Sequence, residues 1–188
     1  MMEHKTVNIY LEANPNPNSL KFVADYMLVN PGQNFDFPDL ESAKHAPLAA
    51  ELFGYDYVRR VFYMSNFITV TKSANKAWSD VQDELKNHIK NYLESGKPII
   101  EFSASESEVV GNEMDIKIKG LLDEYVKPAV EQDGGAIEYK SFKDGVVKVY
   151  LQGSCSGCPS ATVTLKSGIE NLLKSMIPEV TSVVAEEV

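Results

Sequence analysis

The sequence predicts an α+β protein of two small domains, each a small sheet packed with helices, joined by a flexible linker. Three observations predict it. The length of 188 residues suits two units of roughly 80 to 100 residues, each able to bury a modest core. Strand-like alternation and helix-like spacing of apolar residues recur within each half. Between the halves, "EFSASESEVVGNE" at 101–113 is rich in Ser and Glu and carries no apolar period, which is the composition of a linker. The expected division is a first domain over 1–97, a linker over 98–112 and a second domain over 113–188.

In the first domain, "KTVNIYLEA" alternates apolar and polar residues like a half-buried strand. "NPNPN" at 14–18 breaks the chain into a turn, because Asn-Pro pairs force extended or turn geometry. "SLKFVADYMLV" follows as a second strand, and "APLAAELFGYD" as a short helix with Pro47 in its first turn and Gly54 past its end. "VRRVFYMSNFITVTK" reads as a hairpin turning at Ser65 and Asn66. A longer helix over 75–95 presents Trp78, Val81, Leu85, Ile89 and Tyr92 at helical spacing and stops at Gly96 and Pro98. His88 borders that face and reads as a surface or core-edge histidine.

The second domain opens with "MDIKIKGLLDEYVKPAVEQDGG", whose inward face is expected to hold Ile118, Leu121, Leu122, Tyr125, Ala129 and Val130. Pro128 should kink or restart this helix, and Gly134 and Gly135 end it. "AIEYKSF", "DG" and "VVKVYLQG" form a hairpin signal with Asp144-Gly145 as the turn. A helix from Pro159 then places Ala161, Leu165, Ile169, Leu172 and Met176 inward, and "VTSVVAEEV" is a last strand.

Composition narrows the function. A formal net charge of -9 argues against nucleic acid and anionic membranes as partners, since both select basic surface. No stretch approaches the roughly 18 to 20 apolar residues of a membrane helix. The first residues lack the apolar core of a secretion signal and the Arg- and Ser-rich character of a transit peptide. The chain therefore reads as cytoplasmic or already processed, and in a cytoplasmic chain the two cysteines are kept reduced.

Those cysteines, Cys155 and Cys158, stand three positions apart in "GSCSGCPS", between a strand and a helix. Pro159 suits the first helical position, so Cys158 sits beside a helix start whose free N–H groups favour a thiolate. Gly153 and Gly157 permit the tight turn. The serines around them make a polar rim, so the thiols are expected outside the core. Two dithiol chemistries need this arrangement. One is redox exchange, although a thioredoxin-like motif would follow the first strand of a βαβ unit rather than a late hairpin. The other is metal binding, where tetrahedral zinc and common iron–sulfur clusters want four ligands. The three histidines, His4, His45 and His88, all lie in the other half at no ligand-like spacing. A second copy of the chain completes the set, giving four thiolates at a subunit interface. Iron and zinc both accept this sulfur set.

The stretch from "KPAVEQDGG" through "CSGCPS", "TLKSGIE" and "PEV" resembles the C-terminal domain of the NifU-like (Nfu) iron–sulfur proteins, over roughly residues 114 to 185. "PNPNSLKF", "PLAAELF", "FITVTK" and the helix of Trp78 resemble the N-terminal domain of many Nfu proteins. Three positions depart from the family's usual residues: Ala136 replaces an acidic residue, Lys127 an Arg and Ser154 an Ala. None removes a ligand. The resemblance implies a carrier, not an enzyme, that holds a 4Fe–4S cluster between two subunits through Cys155 and Cys158 and passes it to apo iron–sulfur proteins. Its partners would be a second copy of itself, those recipients and an upstream cluster assembly scaffold. A dithiol–disulfide oxidoreductase, with Cys155 attacking, is the competing reading.

Overall fold

The computed structural model describes residues 6–101 and 111–187. It confirms the α+β class and divides into two units, Met1–Ala104 and Ser105–Val188.

In the first unit, β1 (Ile9–Ala13), β2 (Ser19–Ala24), β3 (Asn34–Phe37), β4 (Val58–Met64) and β5 (Phe67–Lys72) form one antiparallel sheet in the order β1-β2-β5-β4-β3. The β4–β5 hairpin turns where expected, with Ser65 at φ +48°. Helices α1 (Pro47–Leu52) and α2 (Trp78–Glu94) complete the unit. Val81, Leu85, Ile89 and Tyr92 are buried as their spacing predicts, in one cluster with Phe22, Val61, Ile68 and Val70. Trp78 packs only partly against that cluster. The short edge strand β3 was not anticipated. Four residues following a turn-rich stretch give too brief an alternation to read, yet β3 carries Asp36, which takes a two-pronged ion pair from Arg60 on β4.

His88 sits at the edge of the core, as expected. Its Nε2 lies 2.8 Å from a Glu51 carboxylate oxygen and its Nδ1 2.8 Å from the Tyr55 hydroxyl. A carboxylate only accepts, so Nε2 carries the proton and, in the neutral ring, Nδ1 accepts from Tyr55.

Residues 98–101, placed in the expected linker, remain tied to this unit. The Tyr92 hydroxyl donates to the Pro98 carbonyl, Ile99 and Ile100 pack against the core, and the Glu101 amide donates to the His45 carbonyl. Two adjacent isoleucines bury apolar surface that a Ser/Glu linker lacks. Residues 102–110 of that expected linker lie outside the described residues.

The second unit has a three-stranded sheet in the order β6-β7-β8. β6 (Gly135–Lys143) and β7 (Val146–Gly153) form the expected hairpin, with Asp144 and Gly145 at φ +51° and +79°. Two successive positive φ values are those of a type I′ turn. β8 (Ser182–Glu187) runs parallel to β7, with Leu151 opposite Glu187.

Helix α3 (Glu113–Leu121) starts at a capping box. The Asp115 amide donates to the Asn112 side chain and the Asn112 amide to the Asp115 carboxylate, both at 2.9 Å. The Tyr139 hydroxyl on β6 donates to the same carboxylate and so ties helix to sheet. Asn112→Ala is expected to cost about 1 kcal/mol, read as a lower denaturant midpoint at unchanged slope. An unchanged midpoint would mean the box contributes nothing.

After α3 the chain passes through a π turn at Leu122–Val126 before α4 (Lys127–Gln132). This corrects the inward face. Tyr125 is 52% exposed and Ala129 is exposed, while Val126 is buried with Ile118, Leu122 and Val130. These four residues step by four. A straight α-helix would rotate such a row away from the core, and the wider π turn takes up the drift. Pro128, which lacks the N–H and crowds the carbonyl four residues earlier, lies just past that turn. A second π turn, Ala161–Leu165, precedes α5 (Lys166–Met176). There Ile169 and Leu173 are buried, Leu165 and Leu172 are partly buried, and Met176, expected inward, is 46% exposed. The side chain of Ala161 lies outside what is described.

Candidate functional site

The C-x-x-C loop springs from the end of the central strand β7. Gly153 at φ +63° and Gly157 at φ +69° bracket it, in a left-handed backbone that glycine adopts without strain. The Ser156 amide donates to the Gly153 carbonyl and closes the turn. On the far side, the Thr162 amide and hydroxyl both reach the Cys158 carbonyl, at 3.3 and 3.2 Å. Both cysteines are free thiols.

The "DGG" segment is the seat of this loop. The Ser154 amide donates to the Gly134 carbonyl, and the Ser154 hydroxyl donates to the Asp133 carbonyl. Gly135 lies so close to Cys155 that a Cβ there would stand 2.7 Å from its Sγ and 2.7 Å from the Gln152 carbonyl oxygen. The three residues therefore do more than turn the helix into the strand: they back the first cysteine.

The expectation that the polar rim keeps the thiols outside the core is overturned. Cys155 is 5% exposed and belongs to the apolar cluster of this unit; Cys158 is 2% exposed. Ser154 and Ser156 are buried too. Small serines with backbone partners can enter a core margin, so a Ser/Gly-rich motif is no guarantee of exposure. Burial pushes the Cys155 thiol up to about 11; Asp133 and Cys158 nearby add to the rise, and the Ser154 hydroxyl offsets part of it. The Cys158 sulfur lies 3.2 Å from the Ser160 hydroxyl, so a side chain approaches sulfur at this position.

Two features escaped the sequence reading. The packing of Gly135 on Cys155 had a visible signal in "DGG", read only as a turn. The other has no local signal: the Gly157 amide, between the two cysteines, donates to a Glu187 carboxylate oxygen at 2.9 Å. That contact exists because β8 pairs in parallel with β7. Among the described residues, no group of three or more His, Cys, Asp or Glu side chains is placed to hold a metal ion. The structure thus places Cys155 and Cys158 on one loop and, among the described residues, adds no third ligand.

Comparison with known proteins matches both halves. The family model described as "NifU-like domain" matches residues 118–184, and "Scaffold protein Nfu/NifU N terminal" matches residues 9–96. The "NFU1 iron-sulfur cluster scaffold homolog, mitochondrial" of Drosophila willistoni is 40% identical over 187 residues, covering 97% of this chain and 65% of its own. The protein of the same name from Drosophila grimshawi is 41% identical over 179 residues, covering 93% of this chain and 60% of its own. The chain thus spans somewhat under two thirds of these relatives' length. Among solved structures, the solution NMR structure of a NifU-like protein from Saccharomyces cerevisiae is 23% identical with a TM-score of 0.47, covering 55% of this chain and 92% of its own. With the two modules matched in this order over most of its length, the chain belongs to the NifU-like (Nfu) family.

Proposed function

We propose that the protein is an iron–sulfur cluster scaffold and carrier, with a 4Fe–4S cluster as its cargo, held between two copies by Cys155 and Cys158 of each. The observation that carries this reading is the C-x-x-C loop itself: two thiols on one glycine-bracketed turn, with no third ligand beside them among the described residues. Half a ligand set per chain calls for a second chain. The names of the relatives, which are cluster scaffold homologs, point the same way. Such a protein binds and delivers rather than turning over a substrate. Its partners are a second copy, an upstream assembly scaffold and apo iron–sulfur recipients.

The competing dithiol oxidoreductase needs Cys155 as an attacking thiolate. The cluster reading needs thiolates as well, so iron uptake, and not the burial of Cys155, separates the two readings. No helix among the described residues is long and apolar enough to cross a membrane, and the acidic charge gives nucleic acid no footing. The relatives are named mitochondrial, so the cytoplasmic placement expected from the first residues gives way to a mitochondrial one in this reading.

The test is anaerobic reconstitution of the full chain with ferrous iron and sulfide. A coloured protein with about four iron atoms per two chains, running as a dimer on size exclusion, is the expected result. A colourless protein whose cysteines cycle through a disulfide would replace the carrier with the oxidoreductase.

A further inference from the structure

β8 ends beside the cysteine loop because Leu151 and Glu187 face each other across the β7–β8 ladder, and Leu151 lies just before Gly153 on the way into the loop. From there the Glu187 side chain reaches the loop and accepts the Gly157 N–H at 2.9 Å. Its neighbour Glu186 is occupied elsewhere, pairing with Lys140 and Lys148. Glu187 instead turns to the loop, where it holds the amide of Gly157, one of the two residues between the cysteines.

Backbone N–H groups around a cysteine ligand are the donors that metal-bound sulfur draws upon. A carboxylate and an anionic cluster want the same donor, and their like charges repel at close range. Both cannot hold Gly157 at once. The buried thiols add a second constraint: with Cys155 and Cys158 nearly closed off, the loop has to shift before any cluster reaches the sulfurs. Among the described residues, nothing stands within 4 Å of where a Gly157 Cβ would sit, so none of them resists a shift toward that side.

We propose that Glu187 is a displaceable carboxylate that clamps the empty loop over its thiols and is exchanged for cluster sulfur at Gly157 on loading. This rests on the reading of Cys155 and Cys158 as cluster ligands. Glu187 is then a positioning residue that favours release, because every ligand that binds only the open loop is weakened by the fraction of loop held closed.

The experiment compares wild type, Glu187→Ala, Glu187→Gln and Glu186→Ala as full chains. In apo protein at neutral pH, alkylation of the two cysteines by iodoacetamide is expected to be about five- to tenfold faster in Glu187→Ala. Glu187→Gln, which keeps an acceptor without the charge, should fall between, and Glu186→Ala should match wild type. In reconstituted protein, Glu187→Ala should keep its cluster several-fold longer against a chelator. Equal alkylation rates in wild type and Glu187→Ala would overturn the clamp, whether or not a cluster binds. A wild type that takes up no cluster would sink the carrier reading alone, since the alkylation comparison needs no metal.

Discussion

Cys158→Ala protein, reconstituted beside wild type, is expected to retain only background iron. A pair of such chains offers two thiolates in place of four, too few to hold a cluster. Cys155→Ala should lose iron as completely, but the two variants should differ from a surface mutation in stability. Cys155 packs in the apolar cluster with Ile137, Leu151 and Ile169 and touches Gly135. Truncating it leaves a void of about one sulfur atom, costing roughly 1 kcal/mol. Cys158 is as deeply buried but lies outside that cluster, so its truncation should cost less. Iron per chain and urea midpoint, measured on the same samples, separate lost ligation from lost fold. A Cys158→Ala protein with the wild-type iron content would end the carrier reading.

Gly135→Ala should be the most damaging substitution that removes no ligand. The new methyl carbon would meet Cys155 Sγ and the Gln152 carbonyl oxygen at 2.7 Å each, and Cys155 Cβ at 3.2 Å. The carbonyl belongs to β7, and Ala136 pairs with Gln152 across the hairpin, so it cannot retreat without loosening the sheet. The cysteine can yield only by leaving its seat. Overpacking of this kind costs about 1–3 kcal/mol, a fall in Tm of several degrees for a unit this size, and iron uptake should drop with it. Gly168→Ala is the control. Its site on α5 is open, and alanine's helix propensity should raise stability by up to about 1 kcal/mol. Equal midpoints for Gly135→Ala and wild type would show that the contact with Cys155 can relax freely.

Hairpins were the most legible part of the sequence. Aromatic and β-branched alternation with Asp144-Gly145 or Ser65-Asn66 at the turn leaves few alternatives, and both hairpins form where expected. The helices were legible in existence but not in phase. Tyr125 and Met176 were assigned inward by a 3.6-residue rule that the two π turns break. Strand β3 was missed because "NFDF" is too short to show a period. At the site, the pair Cys155 and Cys158 and the glycines that bend the loop could be read directly. Their burial could not, since Ser154 looks solvent-facing until Asp133 and Gly134 supply its partners, and Ser156 until Gly153 does. Glu187 was unreadable for a different reason: only the three-dimensional pairing of β7 with β8 brings it to Gly157.

The mixed sheet of the second unit also sets an order of events in time. The β6–β7 hairpin closes across a two-residue turn, a local step of microseconds. β8 pairs Ser182 with Val146 only after the whole of α5 has folded back, and loop closure over a long span makes such non-local pairing late. The last strand to join is the one that carries the covering carboxylate. By the same token it is the first expected to detach in native-state fluctuations, so amide exchange along β8 should be faster than along β7. Loosening of β8 alone then frees the Gly157 amide while the hairpin and helices beneath stay folded.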